Sequence, residues 1–155
     1  METNLLLHHY NLQVVSDIDA MATVVEWFNQ FNNKQISYQT WLEGQTALLE
    51  GFTNVVRHAH KHLSPETLVD LEVQMSPEYF QICIWDQGDV FDLEAAIESF
   101  NQETSQSEFN PLDHEFQWGC IFFLKLREDY GWTISYTRNL ENRNCLLLKK
   151  QLGIL

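Results

Sequence analysis

The stretch from residue 69 to residue 84 limits the fold more than any other part of the chain. Val69, Leu71, Val73 and Met75 alternate with Asp70, Glu72 and Gln74, and Phe80, Ile82 and Ile84 resume the pattern beyond Ser76-Pro77-Glu78. Alternation of period two, in two runs joined by a proline turn, predicts an antiparallel hairpin with one apolar face. Such a sheet needs a second layer over that face. The remaining sequence has to supply it.

Tyr10, Leu12 and Val14 alternate with Asn11 and Gln13, which predicts a first strand over Leu5–Val15. Ser16-Asp17-Ile18-Asp19 has the form of a helix start with Ser16 as N-cap, and Ile18, Met21, Ala22, Val25 and Phe28 follow at helical spacing. That helix is expected to end near Asn32-Asn33. A second helix is expected from Tyr38 to His62, with Leu48, Phe52, Val55, Ala59 and Leu63 as its core stripe. Glu50, Asn54, Arg57 and Lys61 cluster on its opposite face. Gly44 and Gly51 share one flank, and because glycine costs up to about 1 kcal/mol inside a helix, the pair predicts close approach of another backbone. Asp92–Phe100 reads as a short helix capped by Asp92, and Asn101–Gln117 as a polar loop too long for a simple connector. Trp118–Tyr130 reads as a helix stopped by Gly131, and Thr133–Arg138 with Asn144–Leu152 as a closing hairpin. The expected fold is α+β, a two-layer α/β sandwich with helices on one face of a mostly antiparallel sheet, in a single domain over residues 1–155.

Charge narrows the function. The chain has 22 Asp and Glu against nine Lys and Arg, a formal net charge of -13. From His62 to Leu124 there is no Lys or Arg, and the same stretch holds 13 of the acids, so the rest of the chain is neutral. This argues against nucleic acid, whose binding needs cations to displace phosphate counterions, and against anionic membrane surfaces. No apolar run approaches the ~18 residues of a spanning helix, and Met1-Glu2-Thr3-Asn4 lacks the basic start of a signal peptide. A cytoplasmic location is expected. Cys83, Cys120 and Cys145 are odd in number, widely spaced and set in apolar contexts, and read as small core residues. The acidic middle third is either a solubilising surface, a partner-facing lobe or a site for a divalent cation.

Three segments carry candidate chemistry. In Glu50-Gly-Phe-Thr-Asn54, a carboxylate and a carboxamide four apart share one helix face. The first can orient or deprotonate a hydroxyl, and the amide oxygen of the second can ligate Mg²⁺. In Trp85-Asp86-Gln87-Gly88-Asp89, an aspartate at a strand end before a glycine turn can accept a hydrogen bond from an exocyclic amine. In Trp118-Gly119-Cys120-Ile121, a glycine opening a helix offers N–H groups to phosphate. Each also has a plain structural reading, as a solvated face or a turn. His58 and His62 stand i, i+4, but Lys61 lies between them and no third metal ligand is evident. Trp27, Trp41, Trp118 and Trp132 read as core or interface.

Taken together and in this order, the segments resemble the anti-sigma-factor serine/threonine protein kinases of the histidine-kinase/gyrase-type ATPase superfamily. The resemblance runs from about residue 10 to residue 150. Leu49–Ala59 resembles that family's N box, E-x-x-x-N followed by an Arg/His-Ala pair, and Ile84–Asp92 is similar to its D-x-G-x-G-F-D box. Gly119–Asp129 is similar to the last glycine box. Val90 stands in place of the second glycine of the D box, and Gln117 and Trp118 replace glycine and a small or basic residue in the last.

The resemblance implies an ATP site between the second helix and a lid over residues 93–117. Asp86 would read the adenine amine, Gly88 would admit the base, Asn54 would hold Mg²⁺ and Glu50 would act as general base toward a partner's serine. Gly119 and Arg57 would lie at the phosphates. The lid carries no Lys or Arg, so Mg²⁺, helix N-termini and Arg57 or Lys61 would balance the ATP polyanion. The implied partners are an anti-anti-sigma-type antagonist and a sigma factor, with homodimerisation through the first strand and helix. Two functions follow: a regulatory kinase that phosphorylates or sequesters its partner, and a non-catalytic partner-binding module that has lost nucleotide. ATP hydrolysis, with water in place of serine, would use the same Glu50.

Overall fold

In a computed structural model of the chain, residues 7–90, 93–95, 98 and 115–153 are described, excepting the side chains of 115–121. Five strands form one antiparallel sheet: β1 (His8–Val15), β2 (Leu68–Met75), β3 (Tyr79–Asp86), β4 (Trp132–Arg138) and β5 (Asn144–Gln151), in the order β1-β2-β3-β5-β4. The main helices are α1 (Met21–Phe28), α2 (Tyr38–Asn54) and α3 (Glu115–Asp129). The α+β sandwich is the observed architecture.

The expected central hairpin is β2–β3. Its turn is held by Ser76, whose N–H donates to Tyr79 O at 3.0 Å while its hydroxyl accepts from the N–H groups of Glu78 and Tyr79. Register then assembles the core by rows. Leu12, Leu71, Ile84, Leu146 and Tyr136 lie side by side across the sheet, and Tyr10, Val73, Ile82, Leu148 and Ile134 form the next row. The helices bury these rows through Val24, Phe28, Leu48 and Phe52. Trp41 and Trp132 belong to this core. Trp41 Nε1 donates to Phe28 O, and Trp132 Nε1 donates to the buried carboxylate of Glu43, tying β4 to α2.

Local structure departs from expectation at several points. Ser16 is not an N-cap: its N–H donates to Thr67 O, prolonging the β1–β2 ladder, and Asp17 caps a 3₁₀ turn over Ile18–Ala20 instead. The second helix is not α-helical to His62. It ends at Asn54 and passes into a π-helical turn over Val55–Ala59, where the N–H of His60 donates to Val55 O at 2.7 Å. The extra residue in that turn rotates the following side chains. His60 is therefore buried, while Leu63, expected in the core stripe, lies beyond the helix end and is 41% exposed. Cys83 and Cys145 are buried, but on the sheet face opposite the helices, diagonal to each other across β3 and β5. Arg143 over Trp85 and Lys149 over Tyr79 help cover that face by cation–π contact. Cys120, the short helix expected over 92–100 and most of the segment 93–117 lie outside the described side chains; residues 93–95 and 98 are helical.

Gly44 and Gly51 do mark a close approach, but to side chains of the sheet rather than to a backbone. A Cβ on Gly44 would lie 3.0 Å from Phe80, and one on Gly51 would overlap Ile84 Cδ1 and sit 3.2 Å from Leu146. Helix α2 thus rests directly on β3 and β5. Gly51→Ala is expected to destabilise the protein by about 1–3 kcal/mol, the cost of overpacking outweighing the gain in helix propensity. Adding Ile84→Val, which removes the overlapping methyl, should recover part of that loss in urea unfolding. A Gly51→Ala protein as stable as the wild type would contradict this packing.

Candidate functional site

The alternation that buries Phe80, Ile82 and Ile84 carries on to Asp86, so the last residue of β3 points toward the helices. Asp86 is 1% exposed. Burying a carboxylate is costly unless donors surround it, and three do. Its Oδ1 accepts from Gly88 N and from Asn144 Nδ2, both at 2.8 Å, and its Oδ2 accepts from the Tyr136 hydroxyl. Asn144 faces Asp86 directly across the β3–β5 pairing, and Arg138 faces Asn144 across β4–β5. Arg138 donates to Asn144 Oδ1 and to Gly88 O, each at 3.1 Å, while Asn144 Nδ2 also reaches Gly88 O and Asp89 O. A carboxylate has about four acceptor positions, and three here are filled, leaving one on Oδ2.

The strand-end corner is braced from the other side by the π-turn. His60 Nε2 accepts from Gln87 N at 2.8 Å, which places the ring proton on Nδ1. A Cβ on Gly88 would overlap the carbonyl oxygen of Ala59 and lie 3.0 Å from its carbonyl carbon, so only glycine fits between the corner and the helix. Burial holds the imidazole of His60 below its ordinary pKa of 6.5, against the opposing pull of Asp86.

Beside this corner opens a cavity of about 460 Å³. Val55, Ile84, Leu93, Phe123 and Leu146 give it apolar walls, and Asn54, Asp86, Gly88 and Tyr136 supply polar groups. Apolar walls with a few fixed polar atoms suit a flat, uncharged ring system bearing an amine donor. Of the residues singled out from sequence, Asn54, Asp86 and Gly88 meet at this cavity. Glu50 is half-buried on α2, one turn before Asn54, and is not part of the lining. Arg57 is exposed and lines a separate groove with Ser16, His60 and Lys61. Gly119 does not open its helix: α3 begins at Glu115, so Gly119 lies in its second turn, past the free N–H groups of the first. Val90, in place of a glycine, is 76% exposed. His58 and His62 both line the cavity, but among the described residues no group of three His, Cys, Asp or Glu could hold a metal.

Sequence reading missed Tyr136, Arg138, Asn144 and His60. The first three reach the Asp86–Gly88 corner only through strand pairing across 50 or more residues, which leaves no local mark. His60 depends on the π-turn.

The Tyr136 phenol is raised well above its ordinary value near 10, first by burial and then by its bond to the Asp86 carboxylate. A raised pKa adds stability that is present below pH 10 and lost as pH climbs through the folded value. Tyr136 should therefore stay protonated at pH 11 in the folded protein. Tyr136→Phe should leave the phenolate absorbance rise around pH 10–11 unchanged, while costing about 1–3 kcal/mol of stability because a buried acceptor loses its donor. A tyrosine titration near pH 10 that disappears in Tyr136→Phe would refute this bond.

Comparison with known proteins agrees with this fold. The sequence profile of the histidine kinase-like ATPase domain matches residues 14–150. No curated protein sequence matches significantly. Among solved structures, a chain in the crystal structure of the SiaB–SiaC complex from Pseudomonas aeruginosa is similar in fold. It has a TM-score of 0.54 over 97% of this chain and 93% of that one, at 8% sequence identity.

Proposed function

Because this chain belongs to the histidine kinase-like ATPase domain family, we propose that it is a partner-switching regulator that binds Mg-ATP and phosphorylates a serine of a protein antagonist. The observation that carries the reading is the convergence of Asn54, Asp86 and Gly88 on one apolar cavity. The residues fit the nucleotide. The walls would accept a purine, the remaining lone pair of Asp86 Oδ2 would accept a hydrogen bond from its exocyclic amine, and Asn54 would offer an amide oxygen toward Mg²⁺. Bound Mg-ATP would supply the phosphoryl group. Glu50, on the same helix face one turn before Asn54, would take the proton of the incoming serine hydroxyl. Arg57 stands outside the cavity, so its contribution would come through long-range charge. Gly119, in the second turn of α3, would act by letting the helix approach the phosphates closely.

The similar fold in the SiaB–SiaC complex supports a protein partner for this chain. We take that partner to be an anti-anti-sigma-type antagonist, with a sigma factor as a second target and a homodimer as the working form. No described helix is long and apolar enough to cross a membrane, in keeping with a cytoplasmic regulator. A second reading, a partner-binding module without nucleotide, draws support from exposed Val90 and from the three protein donors already on Asp86.

Calorimetric titration with ATP and ADP, with and without Mg²⁺, separates the two. The kinase reading expects binding that Mg²⁺ strengthens for ATP, and an Asn54→Ala protein that loses this Mg²⁺ dependence. Absence of binding at millimolar nucleotide would leave the binding-module reading. Asp86→Ala should abolish binding, but it also strands the donors of Tyr136 and Asn144, so its unfolding must be followed in parallel.

Glu50→Gln separates chemistry from binding. It should keep nucleotide affinity while slowing phosphorylation of the antagonist by about 10²-fold or more, the scale of losing a general base. Undiminished transfer would remove Glu50 from that role.

A further inference from the structure

His60 has no part in the proposed chemistry, yet it is 3% exposed and its ring is committed to the corner that forms the cavity wall. The corner Asp86-Gln87-Gly88 is gripped on two sides. On the sheet side, Tyr136, Asn144 and Arg138 hold Asp86 and the Gly88 carbonyl. On the helix side, Ala59 packs against Gly88 and His60 Nε2 accepts the Gln87 N–H. The π-turn exists at the one place where it sends this imidazole inward: the N–H of His60 reaches back five residues to Val55, itself a wall of the cavity. Without it the ring would follow the ordinary helical path, and Gln87 N would need another acceptor.

We propose that His60 is a positioning residue for the nucleotide site: its neutral imidazole fixes the Gln87 amide, and through it the Asp86–Gly88 corner that meets the base. The proposal rests on the nucleotide reading above for its consequence, but not for its geometry. Nε2 can accept only while it is unprotonated. On protonation it becomes a donor facing another donor, the Gln87 N–H, and the corner is released. The charged groups around the ring are Asp86 from β3, Arg57 and Lys61 from its own segment, and Asp17 from the connection after β1. Asp86 favours the imidazolium, and burial opposes it more strongly. Release therefore falls below pH 6.5, and the corner is fixed at neutral pH.

The test compares wild type with His60→Gln, whose Oε1 can replace Nε2 as an acceptor that does not titrate, and with His60→Leu, which has none. Two quantities are followed from pH 7.5 to 5.5: the hydrogen-exchange protection of the Gln87 and Gly88 amides in nucleotide-free protein, and the affinity for ADP by calorimetry. In wild type, Gln87 protection should fall below pH 6.5, with ADP affinity falling in step. His60→Gln should keep both nearly level across the range. His60→Leu should lose Gln87 protection already at pH 7.5 and bind ADP about 3- to 10-fold more weakly, the scale of one hydrogen bond. If His60→Leu does not fold, the contrast in pH response between wild type and His60→Gln decides alone. Equal protection of Gln87 in all proteins, or a pH response that survives in His60→Gln, would overturn the proposal. If no protein binds ADP at any pH, the nucleotide reading fails, and unchanged Gln87 protection would separately remove His60 as a latch.

Discussion

A single buried carboxylate organises the site. Removing Asp86 from water is costly in free energy unless its charge is met by well-placed donors. Those donors come from three separate parts of the chain: Gly88 from the turn after β3, Asn144 from the start of β5 and Tyr136 from β4. Each must be in register for the carboxylate to be tolerated. The same network then fixes which oxygen of Asp86 keeps a free lone pair, so the requirement that stabilises the corner also sets what a ligand can offer there. Asn144 and Arg138 extend the constraint to the carbonyl of Gly88, whose orientation follows from the sheet.

The second constraint is distance between layers. Gly44 and Gly51 let α2 settle onto Phe80, Ile84 and Leu146 without an intervening side chain. That closeness brings Asn54, at the helix end, to the same cavity as Asp86 at the strand end. Beyond Asn54 an ordinary α-helix would continue outward. The π-turn instead returns His60 toward the sheet, where it meets Gln87. Sheet register and helix geometry thus act on the same three residues, 86 to 88, from opposite sides.

Much of this was legible in the amino-acid order, and the reasons are local. The alternation from Val69 to Ile84 marked the central hairpin, and the glycine turn after it marked Asp86 as a strand-end carboxylate. The N-box-like segment singled out Asn54 and the glycine turn Gly88, and both line the cavity. What failed, failed for nameable causes. Ser16 looked like a cap because capping sequences are short; a ladder bond to Thr67, some 50 residues away, took its N–H instead. Leu63 looked like core because 3.6-residue spacing was carried past the π-turn, where the helix has already ended. Gly119 looked like a helix start because Trp118 looked like the first apolar position, whereas the helix begins at Glu115.

The sequence by itself determined the alternation of its strands, the polar and apolar faces of its helices and the identity of the acidic corner, because all of these follow from the fixed periods of strand and helix. The tertiary structure alone decided which groups meet Asp86 and which side chain holds Gln87. Tyr136, Arg138 and Asn144 become its neighbours only when β4 and β5 pair in one register beside β3, a choice made by the packing of whole rows of side chains. His60 turns inward only where one extra residue is accommodated in the helix, a change no periodic pattern encodes. Local periodicity sets which way a residue faces, and non-local packing sets what it faces.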